Sequence, residues 1–404
     1  MKRKLSARLL MSAVLATTVS TAAFAQDVLK IGVMDDMVGY ASELGGPGTA
    51  VAVELAVEDF GGSVNGRTIE VVTADHQNKP EMAGSIASKM FDADKIEAIV
   101  IGGASSAALS VVAVAKDRPT KTLLVSGSNA PEVTGKSCTA NTVQFASGNY
   151  SLAAPVAKLL ADQGLLDWYT MVIDYSAGHA AGDTAKTIVE AAGGKMLGAD
   201  RLPPETTDFS STLLKAQSSG AKVLGIGFSG NQLQNIVRQA REFGISSSGL
   251  TLAPLVMFIT DTHSMGLDLA QGLQLATPFY WDRTDETRAW SKRFFEHHKK
   301  MPTQMHANAY SAAMHYLEAV KAEGTTDATK VVPKMKATPV KSAVYPEGEV
   351  RKDGAFVRPM YVVKVKTPAE STAEWDYYTV IGEVPASDAF IPVDKTGCAL
   401  VAAN

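Results

Sequence analysis

The sequence predicts an α/β protein of two doubly wound lobes, each a parallel sheet with helices on both faces. Three observations carry this. Unbroken apolar runs such as Ala98–Ile101, AIVI, have the pattern of strands covered on both sides. Each run leads through turn residues into a stretch with helical spacing, the alternation that builds parallel sheets. The whole alternation then starts again after Tyr150.

Val28–Val33 opens the first lobe as an apolar strand. Thr49–Phe60 follows as a helix with Val51, Leu55, Val57 and Phe60 on one side. Gly61-Gly62 stops it, and Asn65-Gly66 turns the chain into the strand Thr68–Thr73. Glu81–Phe91 carries Met82, Ile86 and Met90 at i, i+4 spacing, with Pro80 suited to its first turn. The strand Ala98–Ile101, the helix Ala107–Ala115 and the strand Thr122–Ser126 come next. In the second lobe, Leu152–Leu160 reads as a helix, Tyr169–Asp174 as a strand, and Thr184–Ala192 as a helix ended by Gly193-Gly194. Val223–Phe228 is a buried strand, and Asn231–Phe243 is a helix with Gly244 as its stop. An apolar stretch Leu250–Ile259, a strand Gly272–Ala276 and helices Arg288–Lys299 and Asn308–Ala322 follow. The strands Met360–Lys366 and Tyr377–Ile381 end the pattern without an intervening helix.

One junction carries chemistry. After Ala98–Ile101, Gly102-Gly103 permit a tight turn, and Ser105 and Ser106 stand where N-cap residues sit. A strand that ends in a small-residue loop opening a helix offers free N–H groups and hydroxyls to a carboxylate or other anion. Simple capping of the helix is the alternative for the same two serines.

The first residues read as a leader. Lys2, Arg3, Lys4 and Arg8 precede the mostly apolar Leu9–Val19, and Ala23-Phe24-Ala25 is a small–x–small cleavage pattern before Gln26. No Cys follows it to take a lipid, and no later run is long enough to span a bilayer. The expectation is an exported, periplasmic protein. The formal net charge of the whole chain is −4, and without the leader's four cations it is −8. Such a surface argues against nucleic acid and anionic membrane as partners. Two cysteines, Cys138 and Cys398, in an oxidising compartment imply one disulfide, fastening the C-terminal tail to the middle of the chain.

Read as blocks, LKIGVMDDMVGYASELGGPG, IGGASSAALS and LVSGSNAPEVTGKSC in the first half resemble one family. IDYSAGHA, TTDFSSTLLKAQSSGAKVLGIG and NIVRQAREFGI extend the resemblance through the second. The chain is similar, over its whole mature length, to type I periplasmic solute-binding proteins of the branch holding leucine/isoleucine/valine-binding proteins. The resemblance implies two lobes joined by three crossing segments, closing over a ligand. The crossings fall near Phe145–Tyr150, Pro278–Arg283 and Val344–Gly354. Residues 27–146 with 281–343 then form the N-terminal lobe, 147–280 with 355–390 the C-terminal lobe, and 391–404 a tail.

Carried over by position, the family's carboxylate-holding serine falls on Ser106, with Ala104 and Ser105 beside it. The loop Ser126-Gly127-Ser128-Asn129 falls where the family offers a carbonyl and a hydroxyl, and Tyr40 matches an aromatic of the cleft wall. Ordinary packing is the alternative for Tyr40. Members that bind amino acids place an acid after the fourth strand of the second lobe, where this chain has Leu255. Burying an ammonium there without a partner costs several kcal/mol. Asp174 is the substitute, its other role being a loop cap. Ala177 before Gly178 replaces a common aromatic and enlarges the pocket. Phe145 and Phe279-Tyr280-Trp281, at crossings, face the cleft or pack the hinge.

Enzymatic motifs are weak. Gly45, Gly46 and Gly48 do not form G-x-G-x-x-G, and Gly227-Phe228-Ser229-Gly230 is not G-x-S-x-G. His297 and His298 point about 100° apart on a helix, and His179, His263, His306 and His315 show no metal spacing, so no cofactor or metal is expected. Two functions of different class remain. One is a non-enzymatic binding protein delivering a carboxylate ligand, aromatic or bulky and apolar, to the permease of an ABC importer, with branched-chain amino acids as the alternative cargo. The other is a secreted α/β hydrolase. The sensing partner of a receptor would use the same fold as the first.

Overall fold

The computed structural model describes residues 27–39 and 41–402. Strands β1 (Val28–Asp35), β2 (Ser63–Val64), β3 (Arg67–Asp75), β4 (Ala98–Ile101), β5 (Thr122–Val125) and β6 (Thr142–Gln144) form the first sheet, in spatial order β2-β3-β1-β4-β5-β6. Its pairs are parallel except the β2–β3 hairpin. That hairpin turns on Asn65-Gly66, with φ of 48° and 81°, both positive as a tight two-residue turn demands. Helices α1 (Pro47–Phe60), α2 (Pro80–Asp92) and α3 (Ser105–Lys116) connect these strands.

The second lobe holds β7 (Asp167–Ile173), β8 (Lys195–Leu202), β9 (Val223–Gly227) and β10 (Thr251–Pro254), all parallel, in order β10-β9-β7-β8. Its helices are α4 (Asn149–Asp162), α5 (Ser176–Ala191), α6 (Ser210–Ser218), α7 (Gly230–Glu242), α8 (Ile259–Met265) and the short α9 (Leu267–Ala270). After β11 (Gln274–Thr277) the chain returns through α10 (Asp285–His298), α11 (Gln304–Glu323) and α12 (Ala328–Ala337) to the first lobe. The hairpin β12 (Glu349–Val350)–β13 (Phe356–Val357) follows, and β14 (Met360–Val365) pairs antiparallel with both β11 and β15 (Tyr378–Val384).

Side-chain alternation along the strands explains why both faces are covered. On β4, Ala98 and Val100 pack into the cluster built with α1 and α11, while Ile99 and Ile101 pack with α2 and α3. On β7 and β9, Trp168 and Val223 face α4 and α5, while Tyr169 and Leu224 face α6 and α7. The second connection is visible in one step of chain. Phe279 belongs to the first-lobe core, edge-on to Trp290, and Tyr280 belongs to the second-lobe core beside Tyr378. The Trp281 indole donates to the Trp375 carbonyl (2.7 Å), so these rings pack the hinge.

Several elements escape the apolar-run reading, four of them in the body of the two lobes. β8 alternates exposed and half-buried residues at a sheet edge, β6 has three residues, α6 opens after a polar loop, and α12 contains Pro333. α5 also begins at Ser176, well before the expected Thr184, because small residues let its first turns approach β7. Cys138 and Cys398 are disulfide-bonded with Cα atoms 5.7 Å apart, holding the C-terminal segment against the first lobe. Among the described residues, no helix is long and apolar enough to cross a membrane.

Candidate ligand-binding site

Both sheets have the reversal of strand order that opens a crevice at their carboxyl edge: β1 lies between β3 and β4, and β7 between β8 and β9. The loops after β4, β5, β7, β9 and β10 enclose one cavity of about 520 Å³ between the lobes.

The first wall is the serine loop. Gly103 has φ +75°, and a Cβ there would lie 2.6 Å from the His76 ring. Gly127 lets the neighbouring loop approach, since its Cβ would stand 2.7 Å from Gly102 Cα and 2.8 Å from Gly103 N. The structure corrects the expected cap: Ala104 is the N-cap of α3, and Ser105 and Ser106 are its first two helical residues. Ala104 N donates to Asn78 Oδ1 (2.7 Å), and Asn78 Nδ2 donates to Asp36 Oδ2 (2.5 Å), which fixes the loop from behind. Ser128 is fully buried rather than on the wall. Its hydroxyl donates to Ser105 Oγ (3.2 Å), and its carbonyl accepts from Gln144 Nε2 (2.7 Å), so it holds the loop instead of offering groups to a ligand. Asn129 does line the cavity, and its Nδ2 is buried with no hydrogen-bond partner among the described residues.

Helix ends dominate the lining. Ser105 and Ser106 of α3, Asn149 of α4, Ser176, Ala177 and Gly178 of α5, and Ser229 at the N-cap of α7 all line it. None of these four helices has a side-chain cap, although Ser229 occupies a capping position. Side-chain caps occur at α10, α11 and α12, on Thr284, Thr303 and Asp327, while α1, α2, α6 and α9 begin without one as well, so what sets α3, α4, α5 and α7 apart is that they begin at one cavity. The first N–H of α4, on Asn149, donates to the Asn129 carbonyl (3.3 Å), and that of α7, on Gly230, to Asp261 (2.9 Å), while the positive ends of all four helix dipoles border the same space. Ile173, Phe228, Val256 and Phe258 give that space an apolar second wall.

Two buried acids organise these loops. Asp35 accepts from Thr49 Oγ1 (2.6 Å) and Asp36 N (2.8 Å), and burial pushes its carboxyl up to about 6. Asp261 accepts from Gly230 N (2.9 Å) and Phe258 N (2.8 Å), tying the start of α7 to the Phe258 loop. Burial raises it to about 6 as well.

The remaining sequence expectations divide. Ala104 and Ala177 line the cavity. Leu255 does not: it is 0 % exposed, in the core with Trp168, and the lining passes to Val256. Asp174 stands at the surface, its Oδ1 2.8 Å from His179 Nε2, and the next residue, Tyr175, lines the cavity instead. Phe145 is fully buried against Phe356 (4.7 Å between centroids), packing the hinge rather than facing the cleft. Tyr40 lies outside the described residues. Sequence reasoning missed Glu132, Asn149, Tyr175 and Gln232 on the wall. Glu132 is the one carboxylate among the described lining residues, which include no Lys, Arg or His.

Residues 28–372 match the family model described as periplasmic binding protein. A crystal structure of a periplasmic binding protein from Burkholderia mallei is 40% identical, covers 93% of this chain and 99% of its own, and superposes with a TM-score of 0.84. A branched chain amino acid ABC transporter periplasmic ligand-binding protein from Burkholderia xenovorans is 36% identical, covers 92% and 99%, and superposes at 0.89. The Leu/Ile/Val-binding protein homolog 6 of Brucella melitensis is 25% identical over 235 residues, 58% of this chain and 59% of that relative, so the match spans under two thirds of the relative's length.

Proposed function

Because the chain belongs to the periplasmic binding protein family, we propose that it captures a small carboxylate-bearing molecule between its lobes and hands it to an ABC importer. The observation that carries this is the convergence of the first turns of α3, α4, α5 and α7 on one cavity without a basic side chain among its described lining residues. Oriented N–H groups and serine hydroxyls hold a carboxylate by charge-assisted hydrogen bonds without needing a cation. Ser106 and the unpartnered amide of Asn129 stand on the first-lobe side. Ala177 leaves room beside Phe228 and Phe258 for a bulky body. The second-lobe wall has no acid to meet an α-ammonium, so aromatic or other bulky acids lacking that group rank above leucine and valine. The leader read in residues 1–25, which lie outside the described residues, supports a periplasmic location for this work.

Glu132 favours a second reading. Its carboxylate on the wall is a place for an ammonium, and the Burkholderia xenovorans relative is named for branched-chain amino acids. A thermal-shift screen of aromatic acids, keto acids and amino acids, run beside turnover assays, tests both. A bound ligand raises the melting temperature by mass action and is recovered unchanged. Turnover of a ligand would move the protein to the hydrolase class, and a shift only with amino acids would put the second reading first.

A further inference from the structure

Arg358 follows the β12–β13 hairpin in the third connection between the lobes and is 1 % exposed. Its guanidinium packs against two rings that meet edge to face, 4.5 Å from the centroids of both Tyr345 and Phe356. Nη1 donates to the Phe356 carbonyl (3.1 Å), and Nη2 donates to Ser147 Oγ (3.2 Å) and Asn308 Oδ1 (3.0 Å). Its partners are therefore a carbonyl, a hydroxyl and an amide, and Nε has none among the described residues. A buried cation held without a carboxylate is costly, and an apolar side chain of similar volume would fill the space more favourably. Packing alone does not account for it.

Its contacts give a reason. Ser147 belongs to the first connection, Phe356 to the third, and Asn308 to α11 of the first lobe. Asn308 Oδ1 also accepts from Tyr345 Oη (2.7 Å), while its Nδ2 donates to the Ser126 carbonyl (3.0 Å). Ser126 begins the loop that ends in Asn129 on the cavity wall. A continuous set of bonds thus runs from two connections, through one guanidinium and one amide, to the ligand loop. Beside Arg358 lies a separate cavity of about 600 Å³. Its walls come from the first lobe at Lys336 and Thr338, from the third connection at Glu347, and from the second lobe at Glu383 and Pro385, so rotation of the lobes would change its volume.

We propose that Arg358 is a positioning residue that couples the angle of the connecting segments to the Ser126–Asn129 ligand loop through Asn308. The inference rests on the two-lobe binding reading, but its test needs no ligand. Amide hydrogen exchange is followed in the ligand-free mature chain for the wild type, Arg358→Met and Arg358→Lys. Methionine keeps the length and removes every donor, while lysine keeps the charge and replaces only part of the fork. The expected result is exchange about tenfold faster or more in residues 126–130 and 145–149 of Arg358→Met, with Arg358→Lys between it and the wild type. The strands β1 and β7 should exchange at their wild-type rates. Unchanged exchange in 126–130, or equal acceleration in β1 and β7, would overturn the proposal in favour of a purely structural role. If Arg358→Met does not fold, the double variant Ser147→Ala, Tyr345→Phe removes two contacts of the same cluster while the guanidinium keeps its bonds to Phe356 and Asn308, and the same regional pattern is required of it. A ligand screen that finds nothing would sink the proposed function and leave this exchange pattern standing.

Discussion

On the first-lobe side of the cavity, Ala104 is held by Asn78 and Ser105 by Ser128, which Gln144 holds in turn, three groups that do not line the ligand space. On the second-lobe side, the helices α5 and α7 also open toward the cavity, but Ile173, Phe228, Val256 and Phe258 form the wall between them. One lobe presents a hydrogen-bonded polar cradle and the other a mostly apolar cover between helix starts, that of α7 tied to Asp261. Under the proposed function this difference is a division of labour, in which the first lobe would fix a ligand's acidic head and the second would close on its body.

The largest expected effect comes from breaking the cradle. Gly127→Ala puts a Cβ against the backbone of Gly102 and Gly103, which cannot yield as a side-chain tip can. Overpacking of this kind costs about 1–3 kcal/mol, and the two ligand loops must separate to relieve it. Both the melting temperature and ligand affinity should fall. The matched change on the cover, Ala177→Ser, should leave stability near the wild type.

A smaller effect isolates the head group. Ser106→Ala should weaken the preferred acid by about 1–3 kcal/mol, the range for a hydrogen bond to a charged partner, measured by calorimetry. Glu132→Gln separates the two cargo readings. An acid without an ammonium should bind the variant as well as or better than the wild type, since a like charge is gone. A loss of about tenfold or more in amino-acid affinity would instead assign Glu132 to an ammonium.

The two lobes also share a device whose disruption should be mildest. Asp35 and Asp261, one behind each wall, are raised from an ordinary 3.8 to about 6 by burial. Each therefore takes up its proton earlier in the folded than in the unfolded chain. The stability it contributes is fully present below about 3.8 and is lost as pH rises through about 6. His306, lowered to about 3 by burial, works in the opposite sense: its contribution is present above 6.5 and lost as pH falls through about 3. Two acids outweigh one histidine between pH 6 and 4, so these groups together favour the fold as pH falls through that window. Asp261→Asn should shrink the difference in urea-unfolding free energy between pH 5 and pH 7, whatever it costs at either pH. An unchanged difference would show that Asp261 does not titrate there.

The sequence was most readable where local pattern and tertiary role coincide. Ala98–Ile101 followed by Gly102-Gly103 and two serines is legible because strand, tight turn and helix start are all short-range features. Leu255 and Asp174 were misplaced by a single residue, with Val256 and Tyr175 on the wall in their stead. At the end of a strand, one residue decides between core and cleft, and apolar character does not reveal which. Glu132 sits in a 3₁₀ turn, Pro131–Val133, whose orientation is set by packing on α3, so no spacing announces it. The Arg358 cluster joins residues 211 and 50 positions apart, Ser147 and Asn308, a separation that no local motif spans.

The claim at the centre of this account is that helix N-termini and serine hydroxyls recognise a carboxylate. Calorimetry on the tightest-binding acid from the screen and on its primary amide tests this most directly, because the pair differs in charge and little else. The account expects the acid to bind about tenfold tighter or more. Equal affinity for the neutral amide would contradict it.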